Sequence, residues 1–238
     1  MLNRFLAVVL GLLTFVASAH AQNLVVNGDF EGGFSGWTTW QVSNGFWNGV
    51  WIQSNDCDIW VPTVCPYAGA ISHAQKKGSG SGNAHGGLFQ VIDVAPGQRY
   101  RVTGQWSGGV TGNAAGNATW WEVVVFDGVV DASIIDAGTR PQDTQVAKRT
   151  MDNLPLNGVF QFDWEGFETT FVAKSSQVTL VLKAGSFSTF DAASYHDQIA
   201  LVAAPVVPVP VDAPWMLVLA ALGLVAAAWR PIVARARR

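Results

Sequence analysis

The sequence predicts an all-β chain, folded as a two-sheet β-sandwich over residues 22–204. Three observations predict it. Eight or nine short apolar runs are separated by turn residues at close spacing. No ten-residue stretch carries a convincing helical apolar stripe. Charged residues make up only 13% of the chain, against about 25% in an average domain, while Gly (25) and Trp (11) are abundant. That composition suits an extracellular sandwich and argues against a cytosolic helical enzyme.

Leu24-Val25-Val26 is long enough for a first strand, and Asn27-Gly28-Asp29 is turn chemistry, with Gly28 free to take φ > 0. Phe30 returns to the core. Residues 37–42 and 50–52 are strand candidates around the Gly/Asn-rich 43–49. Cys57 and Cys65 are the two cysteines, and in an exported chain they are expected to pair. Closing so short a loop contributes about 2.5 kcal/mol on the chain-entropy model. Residues 70–87 read as a mobile Gly/Ser loop, without the Gly-Lys-Ser/Thr of a phosphate cradle. Strands are expected at 88–94 and 100–106 around the turn Ala95-Pro96-Gly97-Gln98, with Tyr100, Val102 and Trp106 on one face. Residues 108–117 read as a polar loop. Residues 119–127 form a strong strand with Trp121, Val123 and Val125 on one face and Trp120, Glu122, Val124 and Phe126 on the other. Residues 128–159 form a long insertion of no legible structure. Strands at 160–162, 168–173 and 178–184 lead to a last one at 195–202, with Asp197, Ile199 and Leu201 expected on one face.

The two ends carry their own signals. Residues 1–21 have a cationic Arg4, an apolar stretch at 5–16 and an Ala19-His20-Ala21 cleavage pattern, which predicts a secretory signal helix and a mature chain from Gln22. Residues 205–212 form a Pro/Val-rich extended linker. Residues 213–238 hold a 17-residue apolar run followed by Arg230, Arg235, Arg237 and Arg238. As a helix the run would be about 26 Å long, the short limit for a bilayer core of about 30 Å. The arginines would hold that end cytoplasmic and leave the domain outside. The Val209–Trp215 stretch, the apolar run and the Arg-rich end resemble the PEP-CTERM and IPTL-CTERM sorting tails of Gram-negative bacteria, with Pro210 and Trp215 matching and no Pro-Glu-Pro present. That resemblance implies an exosortase-type processing partner, transient anchoring in the inner membrane, and a final place at the cell surface or in the extracellular matrix.

Residues 23–37, with Asn-Gly-Asp-Phe-Glu before a Trp, and the closing Asp197-Gln198-Ile199-Ala200-Leu201 together resemble galactose-binding-like jelly rolls of carbohydrate-binding modules. The Pro-Gly turn leading into Tyr100 resembles them too. The resemblance covers roughly residues 23–204. It implies a jelly-roll sandwich and a structural calcium ion between the first and last strands, held by Glu31 and Asp197, with Asp29 and backbone carbonyls beside them.

Residues 22–204 carry nine Lys/Arg and sixteen Asp/Glu, a net charge of −7. No basic patch with interleaved aromatics appears, which excludes nucleic acid as the expected partner. No Gly-x-Ser-x-Gly and no His-Glu-x-x-His is present, so the chain is expected to be non-catalytic. Nine Trp fall in the mature domain, more than one core needs. Trp37, Trp106 and Trp121 are assigned to the core. Trp47, Trp51 and Trp60, in or beside Gly/Asn-rich loops, and Trp120 with Glu122 are the candidates for stacking on the apolar face of a sugar. Two alternatives stay open: a structural matrix protein that binds no specific glycan, and a secreted hydrolase.

Overall fold

The computed structural model describes residues 22–42, 46–52, 57, 64–80, 82–112, 119–187 and 190–204, with the backbone alone for 46–52. The expected signal segment, Trp60, the linker and the tail lie outside the described residues. The described residues form ten strands: β1 (Thr38–Gln41), β2 (Phe46–Ile52), β3 (Ile71–Lys77), β4 (Ala84–Asp93), β5 (Arg99–Gly112), β6 (Thr119–Asp127), β7 (Thr144–Met151), β8 (Val159–Val172), β9 (Gln177–Ser186) and β10 (Phe190–Ala203). They form two five-stranded sheets, ordered β1-β4-β9-β6-β7 and β2-β3-β10-β5-β8, and every pairing is antiparallel. One short helix, α1 (Ala132–Ala137), interrupts the strands. Among the described residues no helix is long and apolar enough to cross a membrane.

The core lies between the sheets and is built by period-2 alternation. β6 contributes Trp121, Val123 and Val125, β5 contributes Tyr100, Val102, Trp106 and Val110, and β9 contributes Leu180 and Leu182. The three tryptophans packed between the sheets each find an acceptor for their N–H. Trp121 donates to Ala193 O across the layers at 2.8 Å, Trp106 to Glu165 at 2.9 Å and Trp37 to Asn27 O at 3.1 Å.

Several expectations change. Residues 24–26 form no strand. Leu24 donates one backbone hydrogen bond to Leu201 O, and the chain then turns. Gly28 does not carry the positive φ; Asn27 (53°) and Phe30 (56°) do. Gly28 is required by close approach instead. Ile199 N donates to Gly28 O at 2.8 Å, and a Cβ on Gly28 would stand 1.9 Å from Ile199 O. Within the expected loops at 70–87 and 108–117, residues 71–77, 84–87 and 108–112 are strand, and 113–117 lie outside the described residues. Gly-rich segments can be buried sheet where a ring needs the space, and a Cβ on Gly108 would meet the Trp121 indole at 2.5 Å. The insertion at 128–159 holds α1 and β7. The expected disulfide is present, Cys57–Cys65, with Cα atoms 4.2 Å apart.

The last strand corrects a face assignment. Asp197 pairs with Gln105, but the next pair is Ala200 with Thr103, and Gln198 sits at φ 52°. This bulge inserts an extra residue and breaks the alternation. Ile199 and Leu201 therefore enter the core, while Asp197, opposite outward-facing Gln105, takes the outer face.

Replacing Gly28 with Ala should cost about 2–3 kcal/mol, because a methyl group against a backbone carbonyl cannot be relieved by a side-chain rotation. Gly33, also in this turn but with open space around its Cβ position and φ 68°, should cost about 1 kcal/mol on the same change. Chemical denaturation of the two variants measures the difference; equal losses would show that crowding at Ile199 is not what selects glycine.

Candidate functional site

The outer face of the β1-β4-β9-β6-β7 sheet is set by cross-strand register. Its first row runs His85–Gly185–Trp120–Thr150, with Val42 joined to His85 O by its backbone N–H. The second row is Trp40–Gly87–Lys183–Glu122–Lys148, and the third is Thr38–Phe89–Val181–Val124–Gln145. Phe126 and Thr179 begin a fourth.

The rows differ in chemistry. In the first, the Trp120 ring lies over Gly185, where a Cβ would stand 1.9 Å from the ring. Rings continue across the face: His85 to Trp120 at 5.1 Å and Trp40 to His85 at 4.8 Å. Val42, Asn83, Ala84, His85, Trp120, Ser186 and Phe187 line a mostly apolar hollow of about 290 Å³, and Val42 and Phe187 on its rim are exposed. His85 is placed by Asp136 of α1, 2.9 Å from its Nδ1. Burial lowers the His85 pKa, the Asp136 hydrogen bond opposes that, and Lys183 lowers it further. The imidazole is thus neutral at pH 7.

The second row is closed. Lys183 Nζ stands 2.9 Å from Glu122, with the two side chains 3% and 6% exposed. Gln145 Nε2 donates to the same carboxylate, Lys148 lies 3.9 Å away, and Lys183 also reaches Ile135 O. Leaving either partner alone would strand a buried charge, at about 3–5 kcal/mol. Sequence reasoning placed Glu122 correctly beside Trp120 on one face, but its carboxylate is committed within the sheet and supports the hollow rather than lining it. The middle positions of the third and fourth rows are apolar. Phe89, Val124, Phe126 and Val181 cluster with Val130, Ile134 and Ile135, so α1 roofs them. Asp131 caps that helix, accepting from Ser133 N and Ile134 N.

Trp47 and Trp51 fall on β2, in the other sheet, where the backbone alone is described; Trp60 lies outside the described residues. β2 thus does not bring Trp47 and Trp51 to the Trp120 face. Sequence reasoning missed His85 and Phe187 as lining residues, and Trp40, Lys183 and Asp136 as the groups packed beside them. The signal for Lys183 was present, a lone cation in the apolar run 178–184, but its partner is set by strand order. His73 and His196 are core residues on paired strands, fully buried with Nδ1 atoms 3.1 Å apart. Desolvation holds both well below the usual histidine range, His196 at about 3.

The expected metal ligands gather in part. Glu31 and Asp197 both grip the segment 67–71. Glu31 accepts from Ala70 N at 2.7 Å and Ile71 N at 3.0 Å; Asp197 accepts from Ala68 N at 3.1 Å and from Gln198 N at 2.7 Å. Gly69 has φ 68°, and a Cβ there would stand 2.1 Å from the Glu31 carboxylate. Asp197 is fully buried and Glu31 exposed. Burial raises the Asp197 pKa to about 6, backbone donors partly offset this, and the Glu31 charge adds to it. Asp29 sits in the turn, its carboxylate 3.4 Å from Glu31 N, and lines an open cleft with Asn23, Asn27 and Gln198. Among the described residues no three acidic, His or Cys side chains form a metal cluster. Both carboxylates are hard oxygen donors held at one loop, the ligand type a calcium ion takes.

No protein-family profile matches the sequence, and no curated protein matches it. Solved structures do. A family 61 carbohydrate-binding module, TmCBM61 in complex with β-1,4-galactotriose, is 13% identical with a TM-score of 0.47, over 77% of this chain and 100% of that one. The CBM22-1 xylan-binding domain of Paenibacillus barcinonensis Xyn10C is 16% identical with a TM-score of 0.40, over 77% and 95%. The Stig cyclase Fisc of Fischerella sp. TAU is 18% identical with a TM-score of 0.45, over 78% and 98%.

Proposed function

We propose that this chain is an exported, non-catalytic glycan-binding protein whose sugar site is the hollow beside Trp120. The observation that carries the reading is the Trp120–His85 pair over Gly185: flat rings, an imidazole and an apolar rim around a hollow in the sheet face. Sugars present apolar C–H faces that pack on such rings, and Asn83 and Ser186 lie at the margin. The full chain should bind members of a broad glycan array saturably, and Trp120→Ala should weaken that binding about tenfold or more, an effect of roughly 1.4 kcal/mol. Saturable binding that Trp120→Ala leaves unchanged places the site elsewhere. No binding to any glycan leaves a structural matrix role.

Export and sorting rest on the sequences of residues 1–21 and 205–238. In an exosortase-positive host, mass spectrometry should find an N-terminus at Gln22 and a product lacking residues 215–238. A full-length C-terminus would reduce the tail to a plain membrane anchor.

A calcium ion held by Glu31 and Asp197 completes the proposal. It would neutralise two carboxylates that repel, and tie the N-terminal turn and the last strand to segment 67–71. With its folded pKa raised to about 6 from 3.8, ionised Asp197 costs stability, and the cost grows as pH rises from about 4 through 6. A bound cation offsets that cost above pH 6. Millimolar calcium added to EDTA-treated protein at pH 7.5 should raise the melting temperature by about 5–10 °C if it exceeds Kd a hundredfold. The rise should shrink at pH 4.5 and vanish in Asp197→Asn. Melting curves that ignore calcium at pH 7.5 would remove the ion from the account.

A further inference from the structure

We infer, resting on the glycan reading above, that this site captures the end of a sugar chain and does not bind the interior of a polysaccharide. A groove that binds chain interiors must be open at both ends, so that units on either side of the bound segment can leave. Here the sheet face is shut along the strands. The second row is filled by the Glu122–Lys183 pair, 6% and 3% exposed. The third and fourth are roofed by α1 through Ile134 and Ile135. The roof is fastened at the boundary itself: Asp136 holds His85 at 2.9 Å, and Lys183 reaches Ile135 O. α1 cannot lift without exposing an ion pair and an apolar cluster together.

Across the strands the path is also short. The Trp120 ring occupies the space above Gly185 on β9, so the hollow spans the distance from β1 to β9. That is two strand spacings, about 10 Å. Its volume, about 290 Å³, sits at the small end of the range for ligand sites, about 300–1,000 Å³. Those dimensions suit a terminal sugar and the unit behind it. The lining carries the same message: among the described residues the only titratable side chain in it is His85, whose pKa burial lowers, so an uncharged terminal sugar is the class it takes.

The test is calorimetric titration of the full chain with gluco-, manno-, galacto- and xylo-oligosaccharides of two to six units. Each is presented unmodified, reduced to the alditol at one end, and O-methylated on the terminal unit at the other. For the sugar that binds, affinity per chain should change less than about threefold between two and six units, and one of the two end modifications should lower it about tenfold or more. Affinity that climbs steadily to six units and survives both modifications overturns end capture and leaves glycan binding intact. Failure of every oligosaccharide to bind overturns both readings.

Discussion

The fold depends on one contact between the turn at residues 23–28 and the last strand of the sandwich. The N-terminal turn lies against the bulge of the last strand, with Leu24 N donating to Leu201 O, Ile199 N to Gly28 O, and Leu201 N to the Asn23 side chain at 2.9 Å. The contact works only because Gly28 has no side chain and because Gln198 accepts φ 52°. Its consequences spread outward. The bulge sends Ile199 and Leu201 into the core and Asp197 to the outer face. There Asp197 and Glu31 take hold of segment 67–71 from two sides. A single extra residue in one strand thus converts that contact into a carboxylate pair.

The other sheet follows a different logic. At Gly185 the missing side chain leaves a gap in its outer face that the Trp120 ring fills, while at Gly87 a Cβ would stand 1.8 Å from Leu182 O on the neighbouring strand. A Cβ at Gly185 would overlap Trp120, so the flat seat of that ring is set by its neighbour on β9. Charge is used inside the face, in the Glu122–Lys183 pair, and is kept away from the open hollow. α1 is short and would be unstable alone. It persists because Ile134 and Ile135 close an apolar cluster and because its cap and its Asp136 are both engaged. The same helix decides how much of the face a ligand can reach.

Where local pattern determined structure, the sequence was readable. β6 was legible at both ends and on both faces, because strict alternation and bulky residues leave one register. The Pro-Gly turn and the Tyr100 strand were legible for the same reason, as was the cystine. Three kinds of feature were not. Gly-rich strands read as loops, because the rings that need their space, Trp121 over Gly108 and Trp120 over Gly185, come from distant strands. The bulge at Gln198 was invisible, since a polar residue between Asp197 and Ile199 fits plain alternation equally well. Strand order was hidden too, and with it the partners of Trp120. Glu122 was legible as its neighbour, but Lys183, His85 and Asp136 arrive from β9, β4 and α1, and only the register brings them together.

The central claim is that a ligand meets this protein at the Trp120 end of the β1-β4-β9-β6-β7 sheet. Two-dimensional NMR of the full chain during glycan titration tests it most directly, since each indole N–H gives its own resonance. The account predicts shifts at the Trp120 indole and at the amides of Asn83, His85 and Phe187, with the core indole of Trp121 and the Trp164 indole, bonded to Cys65 O on the opposite sheet, unmoved. Saturable shifts centred on Trp164 and Tyr67, with Trp120 silent, would contradict it.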